Sequence, residues 1–146
     1  MLFRSSGLCR SAEAALTYNI FESGGNVHIQ TSGQLLLPTA VNTNSCTTNG
    51  FLSGPYALIC SGQDVSAPVY MVSGPTTFGF SGDYWADSVS GILTILNGLT
   101  RLFLIDPSYT PGTPIVSSAT FQGKTLLDLG ITTTGPIGQK LSCPLE

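Results

Sequence analysis

A two-glycine turn between two alternating runs constrains this chain more than any other feature. The runs are Leu16-Thr-Tyr-Asn-Ile-Phe-Glu22 and Val27-His-Ile-Gln-Thr31, with Ser23-Gly24-Gly25-Asn26 between them. Alternation with a period of two marks a half-buried strand. Glycines accept the positive φ angles of the tight turns whose twist suits a hairpin. Leu16, Tyr18 and Ile20 then share one face, and Thr17, Asn19 and Phe21 the other. In the second strand Val27 and Ile29 lie on the apolar face.

The rest of the chain repeats this theme in shorter pieces. The second strand is expected to continue past Gly33 into Leu35-Leu36-Leu37, with Gly33 as a bulge. Residues 38–50 read as a polar loop rich in Asn and Thr. Short strands are expected over 56–60, 68–72 and 76–80, the last after a Gly74-Pro75 turn, and 81–91 reads as another loop. Residues 92–105 are open to two readings. Asn97-Gly98 between apolar runs fits a type I′ hairpin turn, or the end of a short helix over 89–96. Residues 102–105 are strand in either case, and 115–121 is strand again. Residues 125–129 look like one helical turn stopped by Gly130. Short strands at even spacing between turn signals specify an all-β fold. The expectation is a single antiparallel β-sandwich, jelly-roll or immunoglobulin-like, of about eight strands with one or two short helical turns.

A chain of 146 residues is one domain's length, enough to hide roughly two thirds of the unfolded surface. The sandwich is expected over 15–138, between a degenerate signal-peptide-like segment at 1–14 and an atypical tail at 139–146. Ala12-Glu13-Ala14 fits a signal-peptidase site, but Arg10 interrupts the short apolar stretch before it. No apolar run of about 18 residues occurs, so no membrane span is expected. Only 9% of residues are charged, against about 25% in an ordinary soluble domain. Ser, Thr, Asn and Gly take the place of charge, a composition common on secreted β-proteins. The net charge is −3 and only five cations are present. That leaves no basic stripe for nucleic acid and no attraction to an anionic membrane.

Of four cysteines, Cys46 and Cys60 lie in the patterned region. A bridge between them would close a loop of about 15 residues, worth about 3 kcal/mol. The other reading is two buried thiols; the secreted composition favours the disulfide. No C-x-x-C motif supports zinc or thioredoxin-like chemistry. Cys9 and Cys143 fall in the end segments and are left unassigned.

Several stretches then carry a family resemblance. They are Ala15-Leu-Thr-Tyr-Asn-Ile-Phe-Glu-Ser-Gly-Gly-Asn-Val27, the pair Cys46 and Cys60, Ser88-Val-Ser-Gly91, Phe103-Leu-Ile-Asp-Pro-Ser-Tyr109, Pro114-Ile-Val-Ser-Ser-Ala-Thr-Phe121 and Leu126-Leu-Asp-Leu-Gly-Ile-Thr-Thr-Thr-Gly135. Their order resembles the ectodomains of bacterial PEP-CTERM sorting proteins over residues 15–138. The resemblance implies export by a signal peptide and processing of a C-terminal sorting tail by an exosortase. It implies delivery to the cell surface or the extracellular polysaccharide matrix. The chain departs from the family at both ends. Its signal is degenerate, and 139–146 stands where the last strand and tail are expected, as in a truncated or frame-shifted gene. A sheet edge left open by the missing strand is a further expectation.

No motif of similar strength speaks for catalysis. His28 is the single histidine, and without a G-x-S-x-G elbow it reads as a solvent-facing strand residue rather than a triad base. Asp83 and Asp87 could be a carboxylate pair or calcium ligands, but they match neither pattern and read as turn-makers. The glycine-rich turns precede no helix and so hold no phosphate. Tyr84 and Trp85 in the 81–91 loop, with Tyr109, are the candidate binding residues, as a platform for sugar rings; the competing reading tucks Trp85 into the core. In a strand the two neighbours would face opposite ways. The expected protein is a non-enzymatic secreted or cell-surface domain with no catalytic residue, metal or cofactor. Its expected partners are extracellular polysaccharide or other surface proteins. The alternatives are a carbohydrate-binding module or a subunit that assembles by strand addition.

Overall fold

The computed structural model describes residues 2–6, 15–37, 42–44, 49–72, 76–132 and 136–138. Its strands are β1 (Leu2–Ser6), β2 (Ala15–Ser23), β3 (Asn26–Gln34), β4 (Asn42–Asn44), β5 (Phe51–Ser53), β6 (Leu58–Ser61), β7 (Ala67–Met71), β8 (Asp83–Trp85), β9 (Ser88–Gly91), β10 (Thr94–Asn97), β11 (Leu102–Ile105), β12 (Ile115–Gln122) and β13 (Pro136–Gly138). They form a β-sandwich of two sheets. The six-stranded sheet has the order β13-β1-β2-β3-β12-β9, and the seven-stranded sheet β4-β7-β11-β10-β6-β5-β8. All pairings are antiparallel except β1 with β13, which is parallel. The strands outnumber the eight expected because four of them, β4, β5, β8 and β13, have only three residues. Leu2–Ser6, expected outside the domain, pair with β2. Cys9, Cys46, Cys143, the Ala12-Glu13-Ala14 site and the 139–146 tail lie outside the described residues. No helix of the described residues is long and apolar enough to cross a membrane.

The opening hairpin forms as the alternation requires. Ser23 pairs with Asn26 across a two-residue turn. Gly24 and Gly25 both have positive φ, 61° and 80°, which is the type I′ requirement. No bulge occurs at Gly33. The register runs without slip from Leu16 to Gly33 to Ile115, so Leu16, Tyr18, Ile20, Val27 and Ile29 all reach the buried face. The main core lies between the sheets. Those side chains meet Leu52, Ile59, Leu96, Phe103 and Ile105 of the seven-stranded sheet, with Ile115, Ala119 and Phe121 of β12.

Five buried hydroxyls cross this apolar layer. Tyr18 of β2 donates to Thr94 Oγ1 at 3.2 Å, and Thr94 lies 2.7 Å from Ser61 Oγ. Ser61 also meets Thr31 at 2.9 Å and accepts from Ser117 at 2.8 Å. A buried hydroxyl without a partner costs about 1–3 kcal/mol. Each of these has one, and each partnership but Ser61–Thr94 spans the two sheets. Burial pushes the Tyr18 phenol well above its ordinary value, and the bond with Thr94 opposes that shift only in part.

Three sequence expectations change in detail. Residues 76–80 form no strand; Phe78 and Phe80 instead fill the core edge. Residues 92–105 form a hairpin, but its loop has four residues, since Asn97 pairs with Leu102. Asn97 Oδ1 accepts the Thr100 N–H, and Arg101 rather than Gly98 takes positive φ. Neighbouring groups fix this shape: the N–H groups of Gly98 and Leu99 donate to Ala57 O and Tyr56 O of the turn before β6. The loop expected over 81–91 holds β8 and β9. Between them the chain changes sheets: Ala86 N–H donates to Gly50 O of one and Asp87 N–H to Thr120 O of the other.

The helical turn at 125–130 forms with both ends capped. Thr125 N–H donates to Asp128 Oδ2 and Asp128 N–H to Thr125 Oγ1, a reciprocal capping pair. Hydrogen bonds from Thr125 hold the Asp128 carboxyl below its ordinary range. At the other end Gly130 has φ +73°. Gly130 N–H donates to Leu127 O and Ile131 N–H to Leu126 O, the bond pair of a Schellman stop. Leu126 N–H donates to the Glu22 carboxylate, which ties the turn to the opening hairpin.

Candidate functional site

The seven-stranded sheet is apolar on both faces. Its inner row runs through the register partners Leu52, Ile59, Leu96, Phe103 and Tyr70. One residue along each strand, the outer row runs Trp85, Phe51, Cys60, Ile95, Leu104 and Val69. Cys60, Ile95, Leu104 and Val69 are at most 4% exposed and form a second apolar cluster, with Phe51 half-buried against it. At the end of the row Trp85 is 61% exposed. Trp85 is therefore where a covered apolar row reaches solvent.

Strand pairing sets its geometry. Gly54 N–H donates to Gly82 O and Ala86 N–H to Gly50 O, so Leu52 and Tyr84 are the hydrogen-bonded pair between them. Phe51 with Trp85 and Ser53 with Asp83 are then non-hydrogen-bonded pairs, whose side chains approach most closely. The rings of Phe51 and Trp85 lie 5.1 Å apart and tilted by 60°. The backbone N–H and C=O groups of Asp83 and Trp85 point away from β5, and β8 is an edge of its sheet. Asp83 is exposed and, two residues before Trp85, stands on the same face.

The structure does not bring the three candidate aromatics to one surface. Tyr84 faces the other side of β8 and packs half-buried against the main core. Tyr109 also packs against that core. Its hydroxyl accepts the Leu35 N–H at 2.9 Å and donates to Thr113 O at 2.7 Å, pinning the end of β3 to the loop before β12. Of the three, Trp85 alone is exposed, at 61%. The signal that separates it from Tyr84 is parity within a three-residue strand, too short to show in the sequence as alternation.

Other chemistry-bearing side chains serve local structure. His28 stacks on Phe21 at 5.4 Å, and its nitrogens lie 3.3 Å from Thr120 Oγ1 and 3.1 Å from Ser23 O. Asp87 accepts the Gln122 N–H at 2.7 Å, and Asp106 accepts from Ser108 N–H and Oγ. Among the described residues no three His, Cys, Asp or Glu side chains gather as metal ligands. Cys60 is fully buried in the outer row, and Cys46, its expected partner, lies outside the described residues. The chain matches no protein-family model, no curated protein and no solved structure.

Proposed function

We propose that this is a non-enzymatic extracellular or cell-surface protein that contacts polysaccharide of the surrounding matrix through Trp85. The carrying observation is an indole 61% exposed on an edge strand and backed by the Phe51 ring. A Trp side chain can bury about 150–250 Å² against a partner, and most of Trp85 is open to one. Its flat face matches the C–H face of a pyranose. The low charge content and the resemblance to PEP-CTERM ectodomains support the same setting. A Cys46–Cys60 bridge belongs to this proposal, because a disulfide persists in an oxidising compartment.

Trp85 is the single tryptophan of the chain, so its fluorescence reports on the site alone. Titration with a soluble neutral glucan such as dextran is expected to shift its emission saturably. In native gels containing the glucan, Trp85→Ala is expected to lose the retardation of the parent protein. No shift and no retardation with any glycan of a broad panel would refute the proposal. A second reading, assembly by strand addition at the open side of β8, rests on the outward backbone groups of Asp83 and Trp85. It predicts concentration-dependent oligomers in size-exclusion chromatography. The strand's three-residue length and its charged Asp83 both disfavour such pairing.

A further inference from the structure

We infer that Asp83 and Trp85 together form one sugar subsite that accepts uncharged chains and turns away polyanionic ones; this rests on the polysaccharide reading above. Three groups converge on the outer side of β8. The Trp85 ring supplies an apolar platform, held in place by Phe51 at 5.1 Å. The exposed Asp83 carboxylate stands on the same face and can accept hydrogen bonds from two adjacent sugar hydroxyls at once. The outward N–H and C=O groups of both residues add a donor and an acceptor each along the strand edge. A pyranose presents matching features, with C–H bonds on one face and hydroxyls around the rim.

The charge at this site sets the ligand class. The Asp83 carboxylate would lie against a carboxylate or sulfate of an acidic polymer, and like charges in near contact repel. The chain's net charge of −3 adds to that repulsion. Of the described cations, Arg4 lies in β1 of the other sheet, Arg101 sits in the turn between β10 and β11 with β6 and β5 between those strands and β8, and Lys124 follows β12, where its charge acts on the Asp128 carboxylate. A neutral hexose polymer meets no such penalty. The occupant is therefore an uncharged polysaccharide, not a polyuronate or sulfated glycan.

The test compares dextran with alginate, a polyuronate, on the parent protein, Asp83→Asn and Trp85→Ala, by affinity electrophoresis and titration calorimetry. Both residues are exposed, and circular dichroism checks that the variants keep their sheet content. Asp83→Asn is expected to weaken dextran binding about tenfold, the loss of a charged hydrogen bond. It is expected to strengthen alginate binding several-fold. Alginate binding by the parent protein should rise with added salt, while dextran binding stays flat. If Asp83→Asn leaves the dextran-to-alginate ratio unchanged while Trp85→Ala abolishes binding, the subsite inference fails and the polysaccharide reading stands. If Trp85→Ala binds as the parent does, both fail. A parent protein that prefers alginate also overturns the inference.

Discussion

The outer faces of the two sheets are opposites. On the six-stranded sheet, the outward positions of β2, β3 and β12 include Thr17, Asn19, Gln30, Ser32, Ser118 and Thr120, all uncharged, polar and at least partly exposed. On the seven-stranded sheet, the outward row from Phe51 to Val69 is apolar and almost wholly covered. The difference shows in the sequence as a change of rhythm. Strands with one wet face alternate, as Leu16-Thr-Tyr-Asn-Ile20 does. Strands covered on both faces read as unbroken apolar runs, as Leu102-Phe-Leu-Ile105 does. The seven-stranded sheet thus holds two apolar layers, and Trp85 is the end of the outer one.

The largest expected effects test that difference directly. Phe103→Ala, on the inner face, is expected to cost about 3–5 kcal/mol in urea unfolding, and Leu104→Ala, on the outer face, about 2–4 kcal/mol. Ser32→Ala, outward on the six-stranded sheet, should stay within about 0.5 kcal/mol. A Leu104→Ala cost below about 1 kcal/mol would mean that the outer row is not a packed layer, and the contrast would collapse.

That contrast also explains what could be seen in the sequence and what could not. The β2–β3 hairpin, its turn and its buried face were legible because nine-residue strands show their period several times over. The capped turn at 125–130 was legible because Gly130 ends it. Strands β8 and β9 were hidden in an expected loop, because three and four residues cannot show a period, and the chain changes sheets between them. Residues 76–80 misled in the other direction. Phe78 and Phe80 alternate like a strand, yet they fill the core from irregular backbone, since side-chain burial does not require a ladder. The candidate site was legible as a cluster of aromatics but not as a surface. Which of Tyr84 and Trp85 faces water depends on pairing with Phe51 and Leu52, a long-range register that local residues do not encode.

A smaller effect separates hydroxyl pairs by burial. Ser61→Ala removes the shared partner of Thr31, Thr94 and Ser117. Its expected cost is about 1–3 kcal/mol, because the groups left behind are buried without their bond. Ser90→Ala breaks a pair of comparable length, 2.6 Å to Ser118 Oγ, but an exposed one, where water replaces the lost partner. Its expected cost is under about 0.5 kcal/mol. Equal costs would mean that length rather than burial governs these bonds, and the hydroxyl chain between the sheets would lose its claim as a specific tie.

Among the buried groups, the smallest expected effect on stability at neutral pH belongs to Tyr18, the link that carries this chain from one sheet to the other. Tyr18→Phe keeps the buried ring and removes one hydrogen bond to Thr94, a loss of about 1 kcal/mol. Its pH dependence is more telling. Burial raises the folded-state value of this phenol above the ordinary value of about 10. The folded protein therefore holds the proton more tightly than the unfolded chain does. The stability linked to that proton is complete below pH of about 10 and declines as the pH rises beyond it, while the unfolded phenol ionises and the folded one does not. Thermal unfolding between pH 8 and 11 should show the parent protein losing stability above pH of about 10 and Tyr18→Phe losing less, so that the two curves converge. Parallel curves would mean that the phenol ionises as freely in the folded protein as in the unfolded chain, and that water reaches the layer between the sheets.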